Sequence, residues 1–230
     1  MLDAAPVLMV KNEERFIASI LAPVIHAFGF GIVGDTGSTD RTREIVAGIP
    51  GAILIEYGAL TMREVGQCRA WLANEAKILG YKWAFLVDGD ELYDWEALEF
   101  IAGQTMPPEA RLGYTSLVNV DEGDAGEFWL MNNAFGRMAV FPTDAVWRGE
   151  YPFESPVLYG DAIQNPKLNH YLAVPPGRVW HGYHLHRSRR SGADAAVYLR
   201  EQKQKQFCMQ DIPGVKRVER VILPLLGQPE

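Results

Sequence analysis

The sequence predicts an α/β fold in which a doubly wound, mostly parallel sheet forms the N-terminal half and continues into a β-rich C-terminal half. Short apolar runs alternate with helical patterns between residues 7 and 88, as in parallel sheets with crossover helices. After Pro107-Pro108 the chain changes to aromatic-rich segments separated by turn residues. An acidic segment, residues 88–91, directly follows the fourth apolar run. Ligands of such sheets bind beyond the carboxyl ends of the strands, so this segment marks a candidate site.

The predicted elements of the N-terminal half alternate strictly. In chain order they are strand 7–11, helix 13–28, strand 29–34, a helix that starts at Ser38, Thr39 or Asp40, strand 52–57, helix 65–79 and strand 83–87. The helices carry apolar residues at helical spacing, whereas the strands are short apolar runs. Asn12 is predicted to cap the first helix, whose first turn would hold Glu13 and Glu14, and Pro23 is expected to kink or divide it.

The C-terminal half is predicted to be mostly strands. The candidates are strands 111–120, 127–131, 137–141 and 178–186, followed by a polar helix at 194–207. We therefore divide the chain into residues 1–106 and 107–230, and expect the later strands to extend the first sheet, so that both halves form one continuous domain. The last segment, GVKRVERVILPLL, places Val215, Val218 and Val221 on one helical face. This helix is expected to dock on the core or on a second subunit, with weak attachment to a membrane surface as the alternative.

The composition excludes some classes of partner. With 22 Lys and Arg against 29 Asp and Glu, the net charge is 22 − 29 = −7, which argues against nucleic acid. The two cysteines form no Cys-x-x-Cys pair, so a reduced, cytoplasmic setting is expected, with the inner face of a membrane as a peripheral alternative. No secretory signal opens the sequence. Residues 16–34 lack charge, but their periodicity predicts a helix and a strand and not a membrane span.

Polar residues follow three of the predicted strands. Asn12, Asp35 and Asp88 stand at carboxyl ends, which meet at one edge of a parallel sheet. The segment Asp88-Gly89-Asp90 (D-G-D) carries two carboxylates that point the same way from an extended backbone. Such a pair can hold a divalent cation, and the cation can neutralise a diphosphate. A solvated turn is the alternative interpretation of D-G-D taken alone.

Four segments together resemble the family 2 glycosyltransferases of the GT-A fold. They are VLMVKNEERFI, GDTGSTDRT, CRAWLANEA and WAFLVDGDELY, and their order and spacing match over residues 7–95. GRMAVFPTDAVWRGEYPFESP and VWHGYHLHRS match more weakly. The resemblance implies transfer of a sugar from a nucleotide diphosphate sugar to a saccharide, lipid-linked or protein acceptor, with Mn²⁺ or Mg²⁺ and inversion. Residues 1–106 would then bind the donor, and residues 107–230 would form the acceptor side.

The resemblance also assigns the donor site. Asp35 would hydrogen-bond the nucleotide base, while Asn12 and the backbone after Val10 would line the same pocket. Arg69 would bind base or phosphate, although Ala70 stands where the family often has Asn, and Arg63 is a competing candidate. Each of these polar residues also has a purely structural interpretation, as a helix cap, a loop cap or a solvated side chain.

The same resemblance places the metal at D-G-D. Asp88 would lie near the ribose and the metal, with Gly89 beside it, and Asp90 would ligate the metal directly. Three histidines fall on one predicted strand: His181, His184 and His186. The resemblance of WHGY favours His181 as a further ligand, with His184 next, and ordinary histidines without a ligand role are the alternative.

An inverting transfer needs a base for the acceptor hydroxyl. Glu154 stands where the resemblance puts a catalytic or acceptor-binding carboxylate, although Phe153 replaces the His that the family commonly has. Glu150 is the neighbouring candidate. Two other functions stay open: a nucleotidyltransferase, which would need a Gly-rich phosphate loop that VKNEERF lacks, and a nucleotide- or carbohydrate-binding module without turnover. An Asp-nucleophile phosphatase is disfavoured because its acidic pair usually follows the first strand.

Overall fold

A computed structural model describes residues 3–61, 63–106, 112–122, 127–148, 155–158, 161–162, 170–172, 178–181 and 217–223. In chain order the elements are β1 (Ala4–Val10), α1 (Ile17–Phe28), β2 (Gly31–Asp35), α2 (Thr42–Ala47), β3 (Ala52–Glu56), α3 (Val65–Ile78), β4 (Trp83–Asp88), β5 (Glu91–Tyr93), α4 (Trp95–Gly103), β6 (Leu112–Glu122), β7 (Phe128–Pro142), β8 (Val146–Arg148), β9 (Ser155–Leu158), β10 (Asp161–Ala162), β11 (His170–Leu172), β12 (Val179–His181) and β13 (Arg217–Val221).

The N-terminal half is a parallel sheet with the strand order β3-β2-β1-β4. Helix α1 packs with α2 and α4 on one face, and α3 packs on β1, β2 and β4 on the other. Since both faces are covered, β1 and β2 are buried along nearly their whole length. The chain runs outwards from β1 to β2 and β3 and then returns to β4 on the other side of β1. The strand order therefore reverses between β1 and β4, and ligands of such sheets bind at this topological switch point.

The sheet continues without a break into the C-terminal half. Strand β7 pairs antiparallel with β4, and β6, β12 and β5 follow in that order. In all, ten strands of the described residues share this sheet, while β8, β9 and β10 form a second, three-stranded one. The predicted α/β class, with a doubly wound parallel half continuous with a β-rich half, is confirmed.

The prediction of two strands at 127–131 and 137–141 is wrong, because both belong to the single strand β7. The residues between them keep pairing with β6, for example Phe135 with Leu117 and Gly136 with Ser116. A β-bulge near Val118 and Val120 absorbs the irregularity. Long-range pairing therefore extends the strand through a segment whose sequence resembles a turn.

The predicted C-terminal helix is also wrong in the part that the structure describes. Residues 217–221 form β13, which pairs antiparallel with the start of β7. Val221 and Leu223 are buried while Ile222 between them is 91% exposed, which is strand alternation. The helical face proposed for membrane or subunit contact does not exist over these residues. Moreover, none of the described helices combines the length and hydropathy that a membrane span needs.

The first helix begins later than predicted. Asn12 does not cap it, since α1 starts at Ile17 and Phe16 occupies the capping position without a side-chain hydrogen bond. Glu13 and Glu14 precede the helix, and its first turn holds no acidic residue. Pro23 lies inside α1 without dividing it. The backbone N–H groups of residues 12 and 13, which precede α1, instead donate hydrogen bonds to the hydroxyl oxygens of Ser38, in the next loop, and of Thr42, the first residue of α2.

Candidate functional site

The carboxyl ends of the parallel strands lie at one level. Val10 is in register with Asp35, and Met9 is in register with Asp88. The loops that follow β1, β2 and β4 therefore meet at the switch point. Three of the residues that the sequence proposes for the donor site, Asn12, Asp35 and Asp88, belong to this edge.

Asp35 is a buried carboxylate, and one of its two oxygens accepts no hydrogen bond. The residue is only 1% exposed. Its Oδ1 accepts hydrogen bonds from the backbone N–H groups of Gly37 (3.1 Å) and Ser38 (3.0 Å), whereas its Oδ2 is buried without a hydrogen-bond partner. Leaving a buried acceptor unpaired costs roughly 1–3 kcal/mol. A ligand N–H group at this position would remove that cost.

The turn after Asp35 requires a glycine. Gly37 has φ +90°, and a Cβ atom there would lie 2.8 Å from the backbone nitrogen of Ala59. The close approach brings the loop after β3 against the loop after β2. Gly37 thus permits the turn in which the backbone N–H groups of Gly37 and Ser38 donate to Asp35 Oδ1.

Asn12 ties two loops together. Its backbone N–H donates to Ser38 Oγ (2.9 Å), and its side-chain Oδ1 accepts from the Thr39 N–H (2.8 Å). The backbone of Asn12 has φ +56°, a left-handed conformation that Asn tolerates better than most residues. The Glu13 N–H in turn donates to Thr42 Oγ1 (2.7 Å). Asn12 therefore shapes the edge of the site, and its side-chain oxygen is engaged with the protein.

Val10 also contributes through its backbone. Its carbonyl oxygen accepts hydrogen bonds from the N–H (2.9 Å) and the hydroxyl (3.0 Å) of Thr36. The predicted pocket wall after Val10 is therefore built jointly by the loops after β1 and β2. Their mutual hydrogen bonds hold it in place.

D-G-D forms the tight connection between β4 and β5. The Asp88 backbone N–H donates to Glu91 Oε2 (3.1 Å), which also accepts from the Tyr93 hydroxyl (3.2 Å). Glu91 is 1% exposed, while Asp88 and Asp90 are partly exposed. The buried Glu91 thus sets the turn. Asp88 and Asp90 keep partial exposure, although Asp88 Oδ1 is itself buried.

Glu13 borders the candidate site, although its place in the sequence predicts the first turn of a helix. It is 7% exposed, and it packs against Gly89 so closely that a Cβ atom on Gly89 would lie 2.9 Å from Glu13 Cγ and 3.2 Å from Cδ. A third acidic side chain therefore borders D-G-D. The only signal in the sequence was its place just after the first strand.

Because Gly89 leaves no room for a side chain, Gly89→Ala should destabilise the protein. We expect a loss of about 1–3 kcal/mol in the free energy of unfolding, the usual cost of overpacking, measured by chemical denaturation. Gly103→Ala is the matched control, since a Cβ atom at Gly103 would meet nothing within 4 Å. Adding Glu13→Ala to Gly89→Ala should recover most of the loss. Equal stability of both glycine variants would contradict the contact.

Arg69 reaches D-G-D from helix α3. Its Nη2 lies 3.5 Å from Asp88 Oδ2, and its guanidinium carbon lies 5.3 Å from the centre of the Trp147 ring. The structure therefore places Arg69 at the predicted site. The neighbouring Cys68 is no candidate nucleophile, because burial raises the pKa of its thiol to about 12 although the Arg69 charge lowers it.

The strand that carries His181 lies beside D-G-D. In the antiparallel pair of β5 and β12, His181 is opposite Glu91. Asp94 fixes this strand, since its Oδ2 accepts from the Arg178 N–H (2.9 Å) and its Oδ1 accepts from the Trp180 indole N–H (2.7 Å). The His181 side chain lies outside the described part of the protein, and so do four whole residues that the sequence analysis names: Glu150, Glu154, His184 and His186.

The donor set at this edge is suited to a hard cation. Within the described residues no three His, Cys, Asp or Glu side chains converge on a metal position. Mg²⁺ is usually held by one or two carboxylates together with substrate phosphates and water. Asp88 and Asp90 supply carboxylate oxygens of that kind next to a strand end, so the residues present fit such an ion.

No protein-family model matches the chain, and no curated protein sequence matches it. Among solved structures, the chain is similar to residues 1–349 of S. aureus TarS in complex with UDP, with 17% identity and a TM-score of 0.39. The match covers 51% of this chain and 36% of that one, so the chain spans about a third of its length.

Two further structures cover the chain more fully. HddC from Yersinia pseudotuberculosis has 8% identity and a TM-score of 0.45, over 77% of this chain and 93% of that chain. A 4-diphosphocytidyl-2C-methyl-D-erythritol synthase has 11% identity and a TM-score of 0.46, over 85% of this chain and 98% of that chain. Because these TM-scores lie below 0.5, the fold assignment rests on the strand order and register given above.

Proposed function

We propose that the protein is a metal-dependent glycosyltransferase of the GT-A type that uses a nucleotide diphosphate sugar as donor. One observation carries the proposal. The buried, unpaired Oδ2 of Asp35 and the partly exposed side chains of Asp88 and Asp90 follow the ends of strands β2 and β4, which flank β1 at one edge of the sheet. An unpaired acceptor suits the N–H group of a base, and a carboxylate pair suits the metal that accompanies a diphosphate.

In this proposal the donor lies across the ends of β2, β1 and β4. Asp35 binds the base, Asp88 lies near the ribose and Gly89 borders the diphosphate. Arg69 donates to a phosphate, for which a guanidinium is suited because it offers paired N–H donors. Asn12 and the Val10 carbonyl hold the pocket wall instead of binding the base themselves. The UDP seen in the TarS complex makes a uridine nucleotide the first donor to test.

Asp88 and Asp90 would hold Mn²⁺ or Mg²⁺, with His181 or His184 as a candidate additional ligand. When bound, the ion would stabilise the negative charge of the leaving diphosphate. The protein itself has to position the acceptor and take up its proton, and we assign the proton to Glu154. The acceptor side would be the β-rich half, residues 107–230, of one continuous domain.

The test of the reaction class is a panel of nucleotide sugars with Mn²⁺. We expect slow hydrolysis of one donor, releasing the nucleoside diphosphate and the free sugar, because water can replace the acceptor. A nucleotidyltransferase would instead convert a nucleoside triphosphate and a sugar phosphate into pyrophosphate and a nucleotide sugar. That result would overturn the proposal, as would nucleotide binding without any turnover on an acceptor panel.

Asp35→Ala should weaken nucleotide binding about tenfold or more, as expected for losing roughly 1.5–3 kcal/mol of a charge-assisted hydrogen bond. The measurement is isothermal titration calorimetry with the nucleoside diphosphate. Asp144→Ala is the control, because Asp144 is an exposed carboxylate in the turn before β8. Unchanged nucleotide affinity in a folded Asp35→Ala variant would remove Asp35 from the site.

A further inference from the structure

Arg69 packs against an aromatic side chain outside D-G-D. Its side chain is only 11% exposed, and its guanidinium lies over the face of Trp147. Trp147 is itself buried and meets the ring of Phe141 edge to face at 5.2 Å, and Phe141 is fully buried on β7. A cation on such a platform is stabilised by the aromatic face. This packing positions the Arg69 guanidinium, whose several N–H groups can bind more than one partner.

One such partner is Asp88, whose Oδ2 lies 3.5 Å from Arg69 Nη2. Asp88 is in an acidic environment, because Glu13 packs against the adjacent Gly89 and Glu91 binds the Asp88 backbone N–H. Carboxylates this close repel one another, and a neighbouring cation relieves the repulsion. Arg69 supplies positive charge at the same carboxylate that the proposed metal needs.

We propose that Arg69 and the divalent cation compete for Asp88, so that Arg69 sets the metal affinity of the site. The inference rests on the proposed metal-dependent function. A divalent ion on Asp88 would stand a few ångströms from the guanidinium, and like charges at that distance repel. Metal binding therefore loosens the Arg69–Asp88 pair. The guanidinium, still on Trp147, becomes available to the incoming diphosphate.

The two possible roles of Arg69, competing with the metal for Asp88 or orienting Asp88, predict changes in metal affinity of opposite sign when Arg69 is replaced. If Arg69 only oriented Asp88, removing Arg69 would weaken metal binding. If Arg69 competes, removing its charge strengthens metal binding while nucleotide is absent. The sign of the change in metal affinity therefore separates the two roles, and a purely structural loss of packing cannot produce tighter binding.

The experiment is a Mn²⁺ titration of the full chain without nucleotide, with free Mn²⁺ measured by electron paramagnetic resonance. We expect Arg69→Met, which keeps an apolar stem against Trp147 but no charge, to bind Mn²⁺ roughly five- to twentyfold more tightly than the natural protein. Arg69→Lys keeps the positive charge and should therefore show a smaller gain in Mn²⁺ affinity than Arg69→Met. Lys77→Met is the matched control, because Lys77 is an exposed cation in the last turn of the same helix, roughly 12 Å along its axis.

Equal or weaker Mn²⁺ binding by a folded Arg69→Met variant would overturn the competition. The same holds for an equal gain in Lys77→Met, which would show only a change in net charge. If Arg69→Met does not fold, Arg69→Gln is titrated with the same expectation. If the natural protein binds no Mn²⁺, both the metal site and this inference are wrong. If it binds Mn²⁺ saturably but the Arg69 variants have the same affinity, only the inference is wrong.

Discussion

Asp90→Ala should lower the kcat/KM of sugar transfer by roughly a thousandfold or more, since metal stabilisation of a leaving group contributes several kcal/mol and each 1.36 kcal/mol is a factor of ten. Asp90 lies in the partly exposed connection between β4 and β5. Its truncation should therefore leave the fold near intact, and removing one of several crowded carboxylates can even relieve repulsion. The measurement is transfer kinetics with saturating Mn²⁺, alongside a thermal melt.

Chelation gives the same test without a mutation. Removing divalent metal from the natural protein should abolish transfer, and adding Mn²⁺ should restore it. Asp144→Ala, which removes an exposed carboxylate away from D-G-D, should be as active as the natural protein. Full activity after both chelation and Asp90→Ala would eliminate the metal role.

The parallel half of the fold could be predicted from the sequence because its signals are local. Apolar runs and helical stripes depend on neighbours within one element, and the strand ends then follow from topology. This is why the sequence alone predicts that Asp35 and Asp88 lie at one edge of the sheet. The register of Val10 with Asp35 and of Met9 with Asp88 bears out that placement.

The features that could not be predicted depend on contacts between distant residues. Asn12 has the residue type and position of a helix cap, but Ser38 and Thr39 of the next loop bind it instead. Glu13 borders D-G-D only because its loop folds over Gly89. Residues 217–221 have apolar residues at helical spacing, yet they pair as a strand with the start of β7. In each case a tertiary partner overrides the local preference.

The second large effect concerns the base. Glu154→Gln should lower kcat by roughly 10²–10⁴, the contribution of general base catalysis, with nucleotide affinity little changed. Gln keeps the size and one oxygen of Glu but cannot take up the acceptor proton. The assays are transfer kinetics, calorimetry with the nucleoside diphosphate, and the anomeric configuration of the product. Glu150→Gln is the matched control, because Glu150 is the competing carboxylate of the same segment.

Glu154 is the proposed base because the other acidic residues of the site have other roles. Asp88 and Asp90 would be occupied by metal, and Glu91 is engaged by the Asp88 N–H and the Tyr93 hydroxyl. Strand β9 begins at Ser155, directly after Glu154, and its Pro156 pairs with Trp147, the residue on which Arg69 rests. Glu154 therefore directly precedes, in the sequence, a strand that pairs with the strand of Trp147. Natural kcat in Glu154→Gln, a larger loss in Glu150→Gln, or a product with retained configuration would each refute the assignment.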